Sequence, residues 1–148
     1  MKNTDLPIIV TQDFETNVEH LWKVITELDH MKQWFFDNIE EFQAIEGFET
    51  QFTITNNDRV FPHIWKITSV EKSKHITYNW RYGGYPGDSF VRFELLGNND
   101  RTLLQLSHTI TEDFPSAIPE FSRMSCLNGW NYFIKQSLPA YIVSLSTK

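Results

Sequence analysis

Between residues 40 and 110 the chain repeats one rhythm, a strand-like run followed by a short break, and nothing else in it constrains the fold as strongly. The runs lie at 40–46, 49–56, 60–70, 75–82, 88–96 and 102–110 and are rich in β-branched and aromatic residues. The breaks are Gly47, "NND" at 56–58, "EKSK" at 71–74, "GGYPG" at 83–87 and "GNND" at 97–100. Breaks this short predict antiparallel hairpins between neighbouring strands. Alternation sets Val91, Phe93 and Leu95 on one face, and Leu104, Leu106, His108 and Ile110 on another. Trp80 shares a strand face with Ile76 and Tyr78, whereas a bulge expected near Trp65 leaves its facing open.

The flanks supply the rest of the architecture. "IIVTQDF" at 8–14 reads as a further strand. Val18, Leu21, Trp22, Ile25 and Leu28 then recur at helical spacing, with Asn17 or Thr16 as N-cap. "DHMKQWFF" at 29–36 reads as a second short helix capped by Asp29. At the other end, Phe121, Met124, Leu127, Trp130, Ile134, Leu138, Tyr141 and Leu145 form one long stripe at steps of three and four. Pro139 lies inside it and is expected to remove a hydrogen bond and kink the helix. An antiparallel sheet must have its apolar face covered, and only this last helix is long enough. A curved sheet closing around one helix leaves space between them, a common ligand site.

Composition narrows the functions. With 148 residues the expectation is one domain, 1–148. A net charge of −6 and the lack of any basic run argue against nucleic-acid partners. One cysteine, Cys126, cannot form an internal disulfide. No apolar run reaches membrane-spanning length, and Asp5 and Pro7 interrupt the segment a secretory signal would need, so a cytoplasmic location is expected.

Four stretches taken in order, "VEHLWKVITELDHMKQWFF", "HITYNWRYGGYPGDSFVRFEL", "LLQLSHTI" and "LNGWNYFIKQSLPAYI", resemble a known family. The chain is similar to the branch of the START-like (SRPBCC, or Bet v 1-like) superfamily named for the activator of heat shock protein 90 ATPase. The resemblance implies an α+β helix-grip fold, a curved antiparallel sheet wrapped around a long C-terminal helix, with two short N-terminal helices. It also implies an inner cavity and binding, but no catalytic residue. The chain departs from the family pattern where a glycine and a proline usually bracket the stretch that here reads "WKITSVEKSK", and again at Pro139.

Individual residue types give weaker signals. His63, His75 and His108 lack the spacing of metal ligands, and neither a metal nor another cofactor is expected. His108 alternates with Leu104 and Leu106, so it is either a core histidine satisfied by a hydroxyl or backbone group, or a polar anchor in an apolar cavity. Asp37, Glu40 and Glu41 read as a solvated edge. "GGYPG" lacks the GK[ST] ending of a phosphate loop and reads as a hairpin turn, with Tyr82 and Tyr85 at the cavity mouth. Ser107, Ser122 and Ser125 lack a nucleophile-elbow context, and nothing marks Cys126 as an activated thiolate.

The expected function is therefore binding of a small hydrophobic molecule without catalysis. The candidate cavity residues are Trp34, Phe36, Trp80, Phe93, Leu104, Leu106, His108, Trp130 and Ile134. Of the three adjacent aromatics Trp34, Phe35 and Phe36, no regular backbone can bury all, and Phe35 is the one expected in solvent. Two alternatives stand beside this reading: a co-chaperone-like module acting on a chaperone ATPase, and a START-like cyclase or hydrolase.

Overall fold

The alternating runs pair as expected. The computed structural model describes residues 1–146. Strand β1 (Ile8–Phe14) is followed by helices α1 (Val18–Thr26) and α2 (Leu28–Trp34). Strands β2 (Glu49–Asn56), β3 (Arg59–Glu71), β4 (His75–Tyr82), β5 (Asp88–Asn98) and β6 (Arg101–Glu112) follow as a meander. A single turn at Pro119–Phe121 leads into α3 (Arg123–Tyr132), a π turn (Phe133–Ser137) and α4 (Leu138–Ser146). The six strands form one curved antiparallel sheet in the order β1-β6-β5-β4-β3-β2. Asn57 and Asp58 both take positive φ, as a two-residue hairpin requires, and join β2 to β3. The result is the helix-grip fold.

Every second residue of the sheet faces the helices. Trp65 lies opposite Trp80, Val91 opposite His108, and Phe93 opposite Leu106, all of them buried. The bulge expected near Trp65 falls between Ile67 and Ser69, so Trp65 keeps its inward facing. On the outer face Arg92 pairs with Glu94 at 3.0 Å, both partly exposed, a contact worth well under about 1 kcal/mol.

Four local expectations need correction. Residues 40–46 are not a strand. Phe42 is buried, but the segment lays it against Trp65 and Tyr78 instead of extending the sheet edge. Asp29 does not cap α2; Glu27 holds that position, without a side-chain bond, whereas Asn17 caps α1 by accepting from the His20 N–H. Met124 is 65% exposed, because α3 begins only at Arg123 and Met124 lies in its outward first turn. Pro139 is accommodated by the π turn before it, where the Leu138 N–H reaches back to the Phe133 carbonyl. The wider turn makes room for a proline ring that would otherwise press on the carbonyl four residues earlier.

The largest correction concerns the three aromatics. Trp34 is 1% exposed, Phe35 8%, and only Phe36 is half-buried. A regular helix could not do this, and the backbone is not regular there. Helix α2 stops at Trp34, and Phe35 leaves helical geometry with φ −107° and ψ −111°. Phe35 stacks on Trp34 at 4.7 Å and reaches Trp65 at 5.6 Å, while Phe36 turns toward Phe52 at 4.9 Å. The Trp34 indole donates to the Val24 carbonyl at 2.9 Å, and Ser137 in the π turn donates to the Trp34 carbonyl at 2.6 Å. The helix break and the π turn thus lock onto each other across the core.

Candidate functional site: a ring-walled cavity under the C-terminal helix

A hollow of about 130 Å³ lies between the sheet and α3, lined by Phe36, His63, Trp80, Tyr82, His108, Cys126, Gly129, Trp130 and Phe133. Flat rings make most of its wall. His63 and Tyr82 meet edge-on at 4.8 Å, Trp80 and Trp130 at 5.5 Å, and Phe36 packs on Phe133 at 5.1 Å. A larger hollow of about 330 Å³ lies between the β1–α1 junction and α4, but its acidic residues Asp13 and Glu15 are exposed. The smaller cavity is the chemically distinctive one.

His108 is the polar centre of this wall, and its partners fix its tautomer. The Trp130 indole can only donate, and it lies 3.0 Å from His108 Nδ1, so Nδ1 carries the lone pair. His108 Nε2–H then donates to Ser89 Oγ at 2.9 Å, and the Ser89 hydroxyl passes its proton toward the Trp80 carbonyl at 2.7 Å. Every member of this chain is satisfied, and burial pushes the His108 pKa down to about 3. The imidazole is neutral, and its one basic atom is occupied.

This arrangement decides what Cys126 can do. Its Sγ lies 3.3 Å from His108 Nδ1, the spacing of a nucleophile and its base. Yet the Trp130 N–H already holds that lone pair, and burial pushes the Cys126 thiol up to about 12. The pair therefore lacks both a free base and an accessible thiolate. Among the described residues no group of three or more His, Cys, Asp or Glu side chains could hold a metal ion.

His63 is the second buried imidazole. Its Nδ1–H donates to the Phe61 carbonyl at 2.9 Å, and burial lowers its pKa to about 4. The Tyr82 hydroxyl is likewise pushed up by burial. The Trp80 indole N–H is turned toward that hydroxyl but makes no hydrogen bond of ordinary geometry.

Comparison with known proteins places this geometry. The family described as "Activator of Hsp90 ATPase homolog 1-like protein" matches residues 15–142. The chain belongs to that family. None of the curated proteins compared with the sequence matches it. Among solved structures, CV1439 from Chromobacterium violaceum is 17% identical with a TM-score of 0.74, covering 90% of this chain and 94% of that one. DynU16, from the dynemicin biosynthetic locus, is 18% identical with a TM-score of 0.71, covering 94% of this chain; the chain spans about half of DynU16, 48%. CalU16 from Micromonospora echinospora is 26% identical with a TM-score of 0.67, covering 92% of this chain and 73% of that one. These likenesses fix the fold as SRPBCC-like. No described helix is long and apolar enough to cross a membrane.

Within this family member, four of the nine residues singled out from sequence line the hollow: Phe36, Trp80, His108 and Trp130. Trp34, Phe93, Leu104, Leu106 and Ile134 lie in the adjoining core, none more than 1% exposed. Trp34 and Phe93 touch the wall through edge-on ring contacts with Phe133 at 6.5 Å and Trp130 at 6.0 Å. Tyr85 packs instead on Phe61 and Phe121, in a separate aromatic cluster. Tyr82, expected at the cavity mouth, does line the hollow, and the wall is completed by His63, Cys126, Gly129 and Phe133, which sequence reasoning had not placed there. The last three had a legible signal, because residues 126, 129, 130 and 133 share one helical face.

Proposed function

We propose that this chain, residues 1–148 acting as one binding domain, holds a small hydrophobic molecule in the cavity and performs no chemistry on it. The observation that carries this reading is the ring-walled hollow of about 130 Å³, whose central histidine has both nitrogens engaged. An engineered cavity of roughly 150 Å³ in another protein accepts benzene, so the space suits a single ring and not an acyl chain. The family and fold support ligand binding in general terms. A thermal-shift screen of small aromatic metabolites, followed by native mass spectrometry, tests it. A true ligand at a hundred times its Kd raises stability by about 2.7 kcal/mol. A library of one-ring compounds that leaves the melting temperature unmoved and gives no bound mass overturns the reading.

A second reading, a module acting on a chaperone ATPase, is favoured by the family description and by the outward face of α3. Met124 is 65% exposed there and Tyr132 53%. Stimulation of a chaperone's ATPase by the wild type, lost in Met124→Asp, supports this reading, and an unchanged rate rejects it.

A further inference from the structure

Two polar atoms in the cavity wall form no hydrogen bond of ordinary geometry, and one of them, the Trp80 indole nitrogen, is fully buried. The Trp80 indole N–H is buried and unbonded in a residue only 4% exposed, and it can only donate. His63 commits its Nδ1 proton to the Phe61 carbonyl, so in the neutral ring Nε2 carries a lone pair. No hydrogen bond to that Nε2 is formed within the described residues. The two rings meet edge-on with centroids 5.8 Å apart, and both line the hollow.

The chemistry of that group follows from the pair. A carbonyl would satisfy Trp80 alone, and an ammonium would satisfy His63 alone. A carboxylate would meet the His63 lone pair with no Lys or Arg among the lining residues, and would lose its hydration without compensation. A hydroxyl donates and accepts at one atom. Water does this too, but a water fills only about 30 Å³ and leaves most of the ring surface without contact.

We propose that the cavity selects a neutral single-ring phenol. Its hydroxyl donates to His63 Nε2 and accepts from Trp80 Nε1–H, while its ring lies among Phe36, Tyr82, Trp130 and Phe133. The proposal rests on the ligand-binding reading above and names the ligand class that reading leaves open.

Calorimetric titration of the full chain with phenol, toluene and benzoate tests it. Phenol should bind about tenfold more tightly than toluene, the worth of one or two neutral hydrogen bonds, and benzoate should not bind. His63→Phe keeps a ring in the wall and removes the acceptor; it should erase most of phenol's advantage over toluene. Trp80→Phe removes the donor and should act in the same direction, which keeps the test decisive should one variant fail to fold. Equal binding of phenol and toluene by the wild type overturns the phenol proposal but leaves the cavity reading standing. Failure of all three probes ends both.

Discussion

The two halves of the core are built from different materials. Toward β1, β5 and β6 it is mostly aliphatic: Ile8, Val10, Leu21, Val24, Ile25, Val91, Leu104 and Leu106 are each 3% exposed or less. Toward β3 and β4 it is aromatic, and there lie the hollow, the buried His63 and the unbonded Trp65, Tyr78 and Trp80 polar atoms, with His108 reaching the same hollow from β6. Branched aliphatic chains interdigitate to native density. Flat rings have few rotamers and prefer edge-on or offset contacts, so packing them against one another leaves gaps. The aliphatic half is therefore the anchor, and the aromatic half is where the fold can afford a site.

Acid should separate the halves most strongly. Burial lowers the pKa of His63 to about 4 and of His108 to about 3, against an ordinary value of 6.5. Above pH 6.5 both imidazoles are neutral whether the chain is folded or not, so neither costs stability. As the pH falls from 6.5 toward 4, the unfolded chain binds protons that the folded one refuses, and stability drops. The loss at pH 4 is roughly 3 kcal/mol per histidine, about 6 kcal/mol together. Denaturant unfolding between pH 7 and 4 reads this directly, and His63→Phe should recover about half. A wild-type curve that stays flat down to pH 5 would contradict the buried, neutral state of both rings.

Leu106→Ala probes the other half. Leu106 is 0% exposed, and its truncation should cost about 3 kcal/mol through lost transfer energy and a new void. Binding of any ligand in the cavity should change little, because Leu106 does not line it. A loss of binding as large as the loss of stability would mean that the two halves are one cooperative unit.

The anchor half was the more legible from sequence, and for a physical reason. Its positions follow period two in β5 and β6 and period three to four in α1, so burial could be read from spacing alone. The aromatic half depends on departures from period. Phe35 is buried only because α2 stops one residue earlier, an event that depends on the packing of α2 against the π turn. His63 did alternate with Phe61 and Trp65, but a bulge suspected nearby hid that face until its position beyond Ile67 was known. On α3, the stripe through Leu127, Trp130 and Ile134 masked the adjacent face carrying Cys126, Gly129 and Phe133. Hydrogen-bond networks leave even less trace, and the chain from Trp130 through His108 and Ser89 to the Trp80 carbonyl joins four separate elements.

That chain yields a smaller effect. Trp130→Phe keeps the ring and deletes the donor on His108 Nδ1, leaving a buried acceptor with only the weak Cys126 thiol beside it. The expected cost is about 1–2 kcal/mol at pH 7. The freed lone pair also takes up a proton more readily, so the acid-induced loss should be shallower than in the wild type. NMR titration of the His108 ring in both proteins checks the direction, and an unchanged pKa would mean that the indole bond does not set the protonation state.

Gly129→Ala is the smallest change and the sharpest test of what the aromatic half is for. Gly129 sits inside α3, where a glycine costs up to about 1 kcal/mol relative to alanine. A Cβ built there meets nothing within 4 Å, so steric strain does not offset the gain. Alanine should therefore raise stability by several tenths of a kcal/mol to about 1 kcal/mol. Yet Gly129 lines the hollow, and one added methyl takes up a substantial part of a space of about 130 Å³. If that space holds a ligand, the variant should melt higher and bind its ring more weakly, a gain in the fold set against a loss in the site. If stability rises and affinity for every ring compound stays as it was, the hollow is a packing defect of the aromatic half and not its purpose.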